Sequence, residues 1–211
     1  MSSSKKIALA ITGASGVQYG FRLLEVLLKK NHQVSLMLSK AAQIVTSMES
    51  ELSLPGRKAE QKKYLSNRFD SDPDLLSIYG DEEWTSPLAS GSARTDAMVV
   101  CPCSMSTLSQ IAVGASSNLM ERAADVMLKE RRKLVIVPRE TPFSDIHLEN
   151  MLRLSRMGVV VMPANPGFYN KPQTVNDIID FMVARVLDQL DIEQTLLPPW
   201  GEQAGDLKHQ I

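Results

Sequence analysis

Apolar and polar positions follow two different periods along this chain. Lys6 to Thr12 carries aliphatic residues with little interruption, Ile7, Leu9 and Ile11 among them, and reads as a strand buried on both faces. Residues 16–30 switch to a helical period that gathers Phe21, Leu24, Leu27 and Leu28 on one face. Gln33 to Leu38 predicts a second strand, Lys40 to Met48 a second helix and Ala97 to Cys101 a third strand. Leu134 to Val137 and Val159 to Met162 are two more strands, stopped by Pro138 and Pro163. Helices fit at about 104–113, 118–131 and 144–156. A last helix over 174–190 places Val175, Ile178, Ile179, Met182, Val183 and Val186 on its apolar stripe. Strands alternating with helices predict an α/β chain with a parallel sheet covered on both faces, a three-layer sandwich. No repeat and no linker divides it, so residues 1–211 read as one domain. Residues 51–95 are irregular and rich in charge, Ser, Pro and Gly; they are either a surface excursion or a loop that completes a site. The tail, 198–211, is polar apart from Trp200, which asks for burial against something, such as another subunit.

Composition narrows the function classes. A chain of 211 residues with 44% hydrophobic residues can bury a real core. The net charge of −1 provides no global field toward nucleic acid or an anionic membrane. The basic run Lys129-Glu130-Arg131-Arg132-Lys133 is short and interrupted, as at a solvated helix end. No apolar run approaches the roughly 20 residues of a membrane span, and the N-terminus lacks a signal-peptide pattern. Cys101 and Cys103, in Cys-Pro-Cys, are expected on opposite faces of a strand end, which disfavours a bridge. The three histidines, His32, His147 and His209, are scattered. We expect a cytoplasmic protein with reduced thiols and no metal.

The candidate chemistry lies where strands end. Thr12-Gly13-Ala14-Ser15-Gly16 follows the first strand. In an open parallel sheet, ligands bind beyond the carboxyl ends of the strands, and helix N-terminal amides favour an anion. Ser15 can serve as the helix N-cap or turn its hydroxyl toward a bound ring. A nicotinamide dinucleotide is disfavoured. No tyrosine has a lysine four residues on, and the second strand ends in Leu38-Ser39-Lys40, with no acid for a ribose. A second hydroxyl-rich turn, Ser104-Met105-Ser106-Thr107, follows the third long strand. Two such turns with Ser39 suit one shared ligand on the scale of a mononucleotide such as FMN.

Cations come next. Arg122 and Lys129, seven apart on one helix, share a face, and Arg139 with Glu140 follows Pro138 at the end of the strand Leu134 to Val137. Arg185 sits among apolar residues of the last helix, either ion-paired or clamping a phosphate. Tyr169 lies in the loop Pro166-Gly167-Phe168-Tyr169. Four cations and a tyrosine exceed what one FMN phosphate needs and suggest a second, phosphorylated ligand. Glu49 ends the second helix and by itself reads as a surface carboxylate. Trp84, upstream of Ala89-Ser90-Gly91, is a loop anchor or the apolar wall of a greasy substrate site.

Taken in order, several blocks resemble the UbiX/Pad flavin prenyltransferases: Ile11 to Gly16, Ser39-Lys40-Ala41-Ala42, Ala89-Ser90-Gly91-Ser92, Cys101-Pro102-Cys103-Ser104, Glu121 to Val126, Leu128 to Arg132, Val137 to Pro142, Ile146 to Met151 and Pro166 to Tyr169. The likeness runs from about residue 6 to Gln203. It implies a flavodoxin-like, Rossmann-like homo-oligomer, typically a dodecamer of trimers. It implies transfer of a dimethylallyl group from dimethylallyl monophosphate to N5 and C6 of reduced FMN, without a metal. The product would serve a UbiD-type decarboxylase, for example in ubiquinone biosynthesis. On this resemblance Gly13, Ala14, Ser15, Ser39, Ser104, Met105, Ser106, Thr107 and Arg139 match FMN contacts. Ser90, Arg122, Lys129, Glu140, Tyr169 and Arg185 match a prenyl-phosphate site where subunits meet, and Trp84 and Trp200 its aromatic residues. Ser15 and Glu49 match a pair linked to proton transfer near N5, and Glu140 a residue linked to protonation of the departing phosphate. Val17 and Met105 depart from the smaller residues of the pattern and bear on pocket shape.

Two other readings compete. A flavin-dependent cysteine decarboxylase of the same fold would need an early catalytic histidine and a Pro-x-Met-Asn-x-x-Met motif. Here Pro163-Ala164-Asn165-Pro166 stands in the comparable loop, and His32 lies between a helix and a strand. A non-enzymatic FMN carrier would leave the cations without a purpose.

Overall fold

The computed structural model describes residues 4–198. Six strands form one sheet: β1 (Lys6–Ile11), β2 (Gln33–Leu38), β3 (Leu76–Tyr79), β4 (Ala97–Cys103), β5 (Lys133–Pro138) and β6 (Val160–Val161). All neighbours pair in parallel, in the order β3-β2-β1-β4-β5-β6. That is the order of a doubly wound sheet, whose direction of winding reverses between β1 and β4. The α-helices among the described residues are α1 (Val17–Lys29), α2 (Lys40–Glu49), α3 (Lys58–Arg68), α4 (Met105–Ala112), α5 (Leu119–Lys129), α6 (Asp145–Arg156) and α7 (Val175–Gln189).

The two-sided burial expected of the strands is present. Ile7, Leu9 and Ile11 pack into a core under α1, α3 and α7, whereas Ala8 and Ala10 face a second core under α4, α5 and α6. The predicted apolar face of α1 (Phe21, Leu24, Leu27, Leu28) is buried. Gly20 brings that helix onto the switch point: a Cβ there would lie 2.3 Å from the Cys101 carbonyl oxygen. Cys101 and Cys103 do enter opposite cores, but alternation is not the reason, because residues two apart on a regular strand share a face. A register shift between Val100 and Cys103 turns the chain. Both thiols are free and buried, and burial pushes the Cys101 thiol up to about 12.

Three expectations need correction. Residues 51–95 hold α3 and the edge strand β3 as well as loops. Val175 is 72% exposed, so the stripe of α7 engages the core only from its second turn. Ser15 does not cap α1; Gly16 does, at φ 95, without a side-chain bond of its own. Trp200 and all but Pro198 of the tail lie outside the described residues.

Candidate functional site

The turn after β1 and the turn after β4 are welded side by side at the switch point. Thr12, 1% exposed, does the welding. Its hydroxyl donates to the Pro102 carbonyl at 2.9 Å and accepts the Ser104 amide at 2.7 Å. These bonds bridge the register shift of β4, where the ladder would leave buried groups unpaired. Gly13 serves this packing as well. A Cβ on it would lie 2.4 Å from Ala41 Cβ, so its missing side chain admits α2. The side chain of Ala14 is buried, and that of Ser15 is partly open.

Glu49 reaches the same turn from the far end of α2. Its Oε2 accepts the Gly16 amide at 2.9 Å and so caps a helix start that lacks a cap of its own. Gln18 donates in return to the Glu49 carbonyl at 2.6 Å. Ser15, Gly16, Gln18, Tyr19 and Glu49 line a cavity of about 370 Å³ that α7 closes with Val175 and Ile179. Desolvation raises the Tyr19 phenol pKa. A larger cavity of about 600 Å³ runs on along the groove between α1 and α7. Its Arg22 is committed to Asp180 at 2.7 Å and to Glu25 at 2.7 Å, so it offers little free charge to a ligand.

Two more helix starts face the crest. Ser39 caps α2 by accepting the Ala42 amide at 3.0 Å. Ser104 caps α4, accepting the Thr107 amide at 3.3 Å and bonding the Thr107 hydroxyl at 3.1 Å. Ser106 is exposed, but the side chain of Met105 is 8% exposed and belongs to the second core, so it can offer a ligand little beyond its amide. Arg139 follows β5, with its amide on the Cys103 carbonyl at 3.2 Å. Its Nε is buried without a partner among the described residues. Glu140 is exposed and accepts the Thr141 amide at 3.1 Å.

The remaining sequence candidates lie elsewhere, each with local contacts. Arg122 donates to the Ala89 carbonyl at 3.1 Å and to Asp125 at 2.7 Å, which puts the Ser90 loop against α5. Ser90 meets Ser92 through their hydroxyls at 3.0 Å. Lys129, at the other end of α5, pairs with Glu130. Arg185, on the outer side of α7, holds Asp188 at 2.6 Å, the ion-paired alternative of the sequence reading. The Tyr169 ring stands edge-on to Phe181 with centroids 5.6 Å apart, and Trp84 is 47% exposed. Thus Arg122, Lys129 and Arg185 each already have a carboxylate partner, and one chain does not gather them into a single cluster. Sequence reasoning missed Thr12, Gln18 and Tyr19. Only proximity to the glycine turn marks them, because their partners lie far along the chain.

The flavoprotein family model matches residues 1–187. A flavin prenyltransferase UbiX from Pseudomonas aeruginosa is 52% identical over 203 residues, 96% of this chain and 97% of that one. The chain belongs to the flavoprotein family, among the UbiX-type flavin prenyltransferases. Solved members share the fold. AnUbiX (PadA1), crystallised with FMN and dimethylallyl pyrophosphate, superposes with a TM-score of 0.83 at 37% identity, covering 94% of this chain and 98% of that one. A dodecameric FMN-dependent UbiX-like decarboxylase from Escherichia coli O157:H7 gives 0.81 at 42% identity, covering 92% and 98%. The cysteine decarboxylase TvaF reaches only 0.57 at 14% identity, with 90% and 99% covered, a likeness of fold alone.

For a UbiX-type protein the test is whether the crest fits a flavin mononucleotide, and it does. A phosphate needs N–H donors and positive ends of dipoles, and the first amides of α4 and the hydroxyls of its cap supply them. The unpartnered Nε of Arg139 is a buried donor in want of an acceptor at the adjacent strand end. Among the described residues, no group of three or more His, Cys, Asp or Glu could hold a metal ion.

Proposed function

We propose that this chain transfers a dimethylallyl group from dimethylallyl monophosphate to N5 and C6 of reduced FMN, making prenylated FMN for a UbiD-type decarboxylase. The observation that carries the reading is the Ser15–Gly16–Glu49 arrangement: a carboxylate held at 2.9 Å on the amide of the glycine turn, beside a partly open serine hydroxyl. It puts an acid–base group on the turn best suited to a flavin. Reduced FMN, when bound, supplies the nucleophilic positions.

The chain's own residues divide the remaining work. Gly13, Ala14, Ser15, Ser39 and the segment Ser104 to Thr107 hold the mononucleotide, with Arg139 closing the site. Ser15 and Glu49 move the proton near N5. Lys129, Arg122, Arg139 and Arg185 stabilise the departing phosphate as preorganised charge, and Glu140 protonates it. Each of the pairs Arg122–Asp125, Lys129–Glu130 and Arg185–Asp188 is partly exposed and screened by water, so a phosphate dianion can outcompete the carboxylate. Trp84, Ser90, Tyr169 and Trp200 wall the prenyl tail and exclude water that would trap a developing allyl cation. Because one chain leaves Arg122, Lys129 and Arg185 dispersed, the site is completed between protomers, in keeping with a homo-dodecamer. The enzyme works in the cytoplasm, where ubiquinone synthesis is one destination for the product. Among the described residues no helix is long and apolar enough to cross a membrane.

The cysteine decarboxylase alternative needs a histidine at the flavin. His32 is 3% exposed, with Nδ1 accepting the Lys5 amide at 3.1 Å, and His147 sits in the capping box of α6. The test is anaerobic incubation of the protein with reduced FMN and dimethylallyl monophosphate, followed by mass analysis of the flavin. A flavin heavier by one C5 unit is expected. An unchanged flavin refutes the reading, and a parallel run with the diphosphate identifies the donor.

A further inference from the structure

Helices α1 and α2 cap each other, and the residue that makes the cap reciprocal is Gln18. α1 begins at Gly16, whose left-handed conformation (φ 95) brings no side-chain cap. A helix start has N–H groups without partners inside the helix, and a helix end has carbonyls in the same state. Glu49, the last residue of α2, satisfies the first deficit with its carboxylate on the Gly16 amide at 2.9 Å. Gln18, one residue inside α1, satisfies the second by donating Nε2 to the Glu49 carbonyl at 2.6 Å. The last turn of α2 has no basic residue to do this instead, and its C-cap, Ser50, is extended. Glu49 is therefore gripped at both ends, its carboxylate by the glycine turn and its main chain by Gln18. That matters because Glu49 is exposed and is the last residue of its helix, where an unrestrained side chain would sample many rotamers. Gln18 also lines the 370 Å³ cavity beside Ser15 and Glu49, so the grip is located where the carboxylate would act.

We propose that Gln18 is a positioning residue: by holding the Glu49 main chain against α1, it keeps the Glu49 carboxylate on the Gly16 amide and aligned for proton transfer. The inference rests on the prenyl-transfer reading above. It is tested with Gln18→Leu, Gln18→Lys (which keeps a donor of similar reach), Glu49→Gln and the double variant Gln18→Leu/Glu49→Gln.

Two readouts are needed. In the FMN-free protein, hydrogen exchange at the Gly16 amide is expected to speed up severalfold in Gln18→Leu and to stay within twofold of wild type in Gln18→Lys. In turnover, Gln18→Leu is expected to lower kcat by about tenfold, the scale of a small misplacement of a reacting group, with KM for the donor and Kd for FMN within twofold. Gln18→Lys restores kcat, and the double variant is no slower than Glu49→Gln alone, because the two residues act as one unit. A wild type that makes no prenylated flavin sinks the underlying reading, while the exchange result still judges the grip. A wild type that turns over together with a Gln18→Leu variant of unchanged kcat, or of unchanged Gly16 exchange, overturns the proposal. So does an additive double variant, or a Gln18→Leu loss of kcat matched by lost FMN binding that lysine does not rescue.

Discussion

Replacing Thr12 by valine isolates the weld between the two crest turns. The substitution keeps the shape and removes a hydroxyl that both donates to Pro102 and receives from Ser104. The Pro102 carbonyl keeps a second donor, the Thr12 amide at 3.2 Å, so its loss is small. The Ser104 amide has no such reserve and stays unpaired next to a site that is 1% exposed. Leaving a buried donor unsatisfied costs about 1–3 kcal/mol; the Ser104 amide is part-buried, so a destabilisation of no more than about 2 kcal/mol is expected. For a chain of 211 residues that is a drop of roughly 4–8 °C in Tm. Urea unfolding of FMN-free wild type, Thr12→Val and Thr12→Ser measures it as a change in midpoint at constant slope. Serine keeps the hydroxyl and should recover most of the loss caused by valine, less the contribution of the methyl group. FMN titration should show weaker binding to the valine variant, on the order of tenfold, because the α4 amides lose their register with the glycine turn. A valine variant within about 0.5 kcal/mol of wild type, with unaltered FMN affinity, would refute the weld.

Two further outcomes follow from single side chains. Burial first, then Lys5 and Lys30, lowers the His32 pKa below its ordinary value near 6.5. The unfolded chain therefore binds the proton more readily, so this contribution to stability is full above pH 6.5 and fades as pH falls through the lower native value. Urea midpoints between pH 7.5 and pH 5 should fall more steeply for wild type than for His32→Asn; parallel curves would contradict the assignment. Arg185→Ala should raise KM for dimethylallyl monophosphate by about tenfold, the scale of one lost charge-assisted contact, and leave FMN affinity alone. Unaltered donor kinetics would mean that Arg185 serves only Asp188.

Long regular elements were legible from periodicity because each buries a continuous stripe. α1 and β1 were found within a residue or two of their ends. α3 was not, since only Gln61, Leu65 and Ser66 of its eleven residues are buried and no apolar stripe marks it. β3 escaped for a related reason: it is a four-residue edge strand with one fully buried residue, Leu76. At the candidate site, residue types pointed to the turns that the structure brings together, but not to all the contacts made there. Ser15 has the chemistry of a cap, yet Gly16 and Glu49 make the cap, because a partner 33 residues away is invisible to local pattern. Gly13 matches a flavin contact by resemblance alone, and local pattern does not show that its missing side chain makes room for Ala41. Thr12 carries no signal beyond its place next to the glycine turn, since its value lies in a bond to Ser104, 92 residues on.

The placement of the cations bears on why such a site would be shared between chains. A phosphate-binding cluster built inside one protomer would hold several positive side chains together before any ligand arrived, with mutual repulsion and desolvation to overcome. Here Arg122, Lys129 and Arg185 instead sit on partly exposed helix faces, each balanced by a carboxylate one to three residues away. Each protomer is therefore electrically quiet, in line with its net charge of −1. On the proposed shared site, assembly would bring cations from separate chains toward one anion without any chain having to fold around an unpaired cluster. The crest around Thr12 has no such problem, because its donors are neutral amides and hydroxyls with helix dipoles behind them. The proposed flavin half of the site can thus be complete within one chain, while the proposed donor half would arise between chains. On this division, dilution into protomers should abolish prenyl transfer well before it abolishes FMN binding.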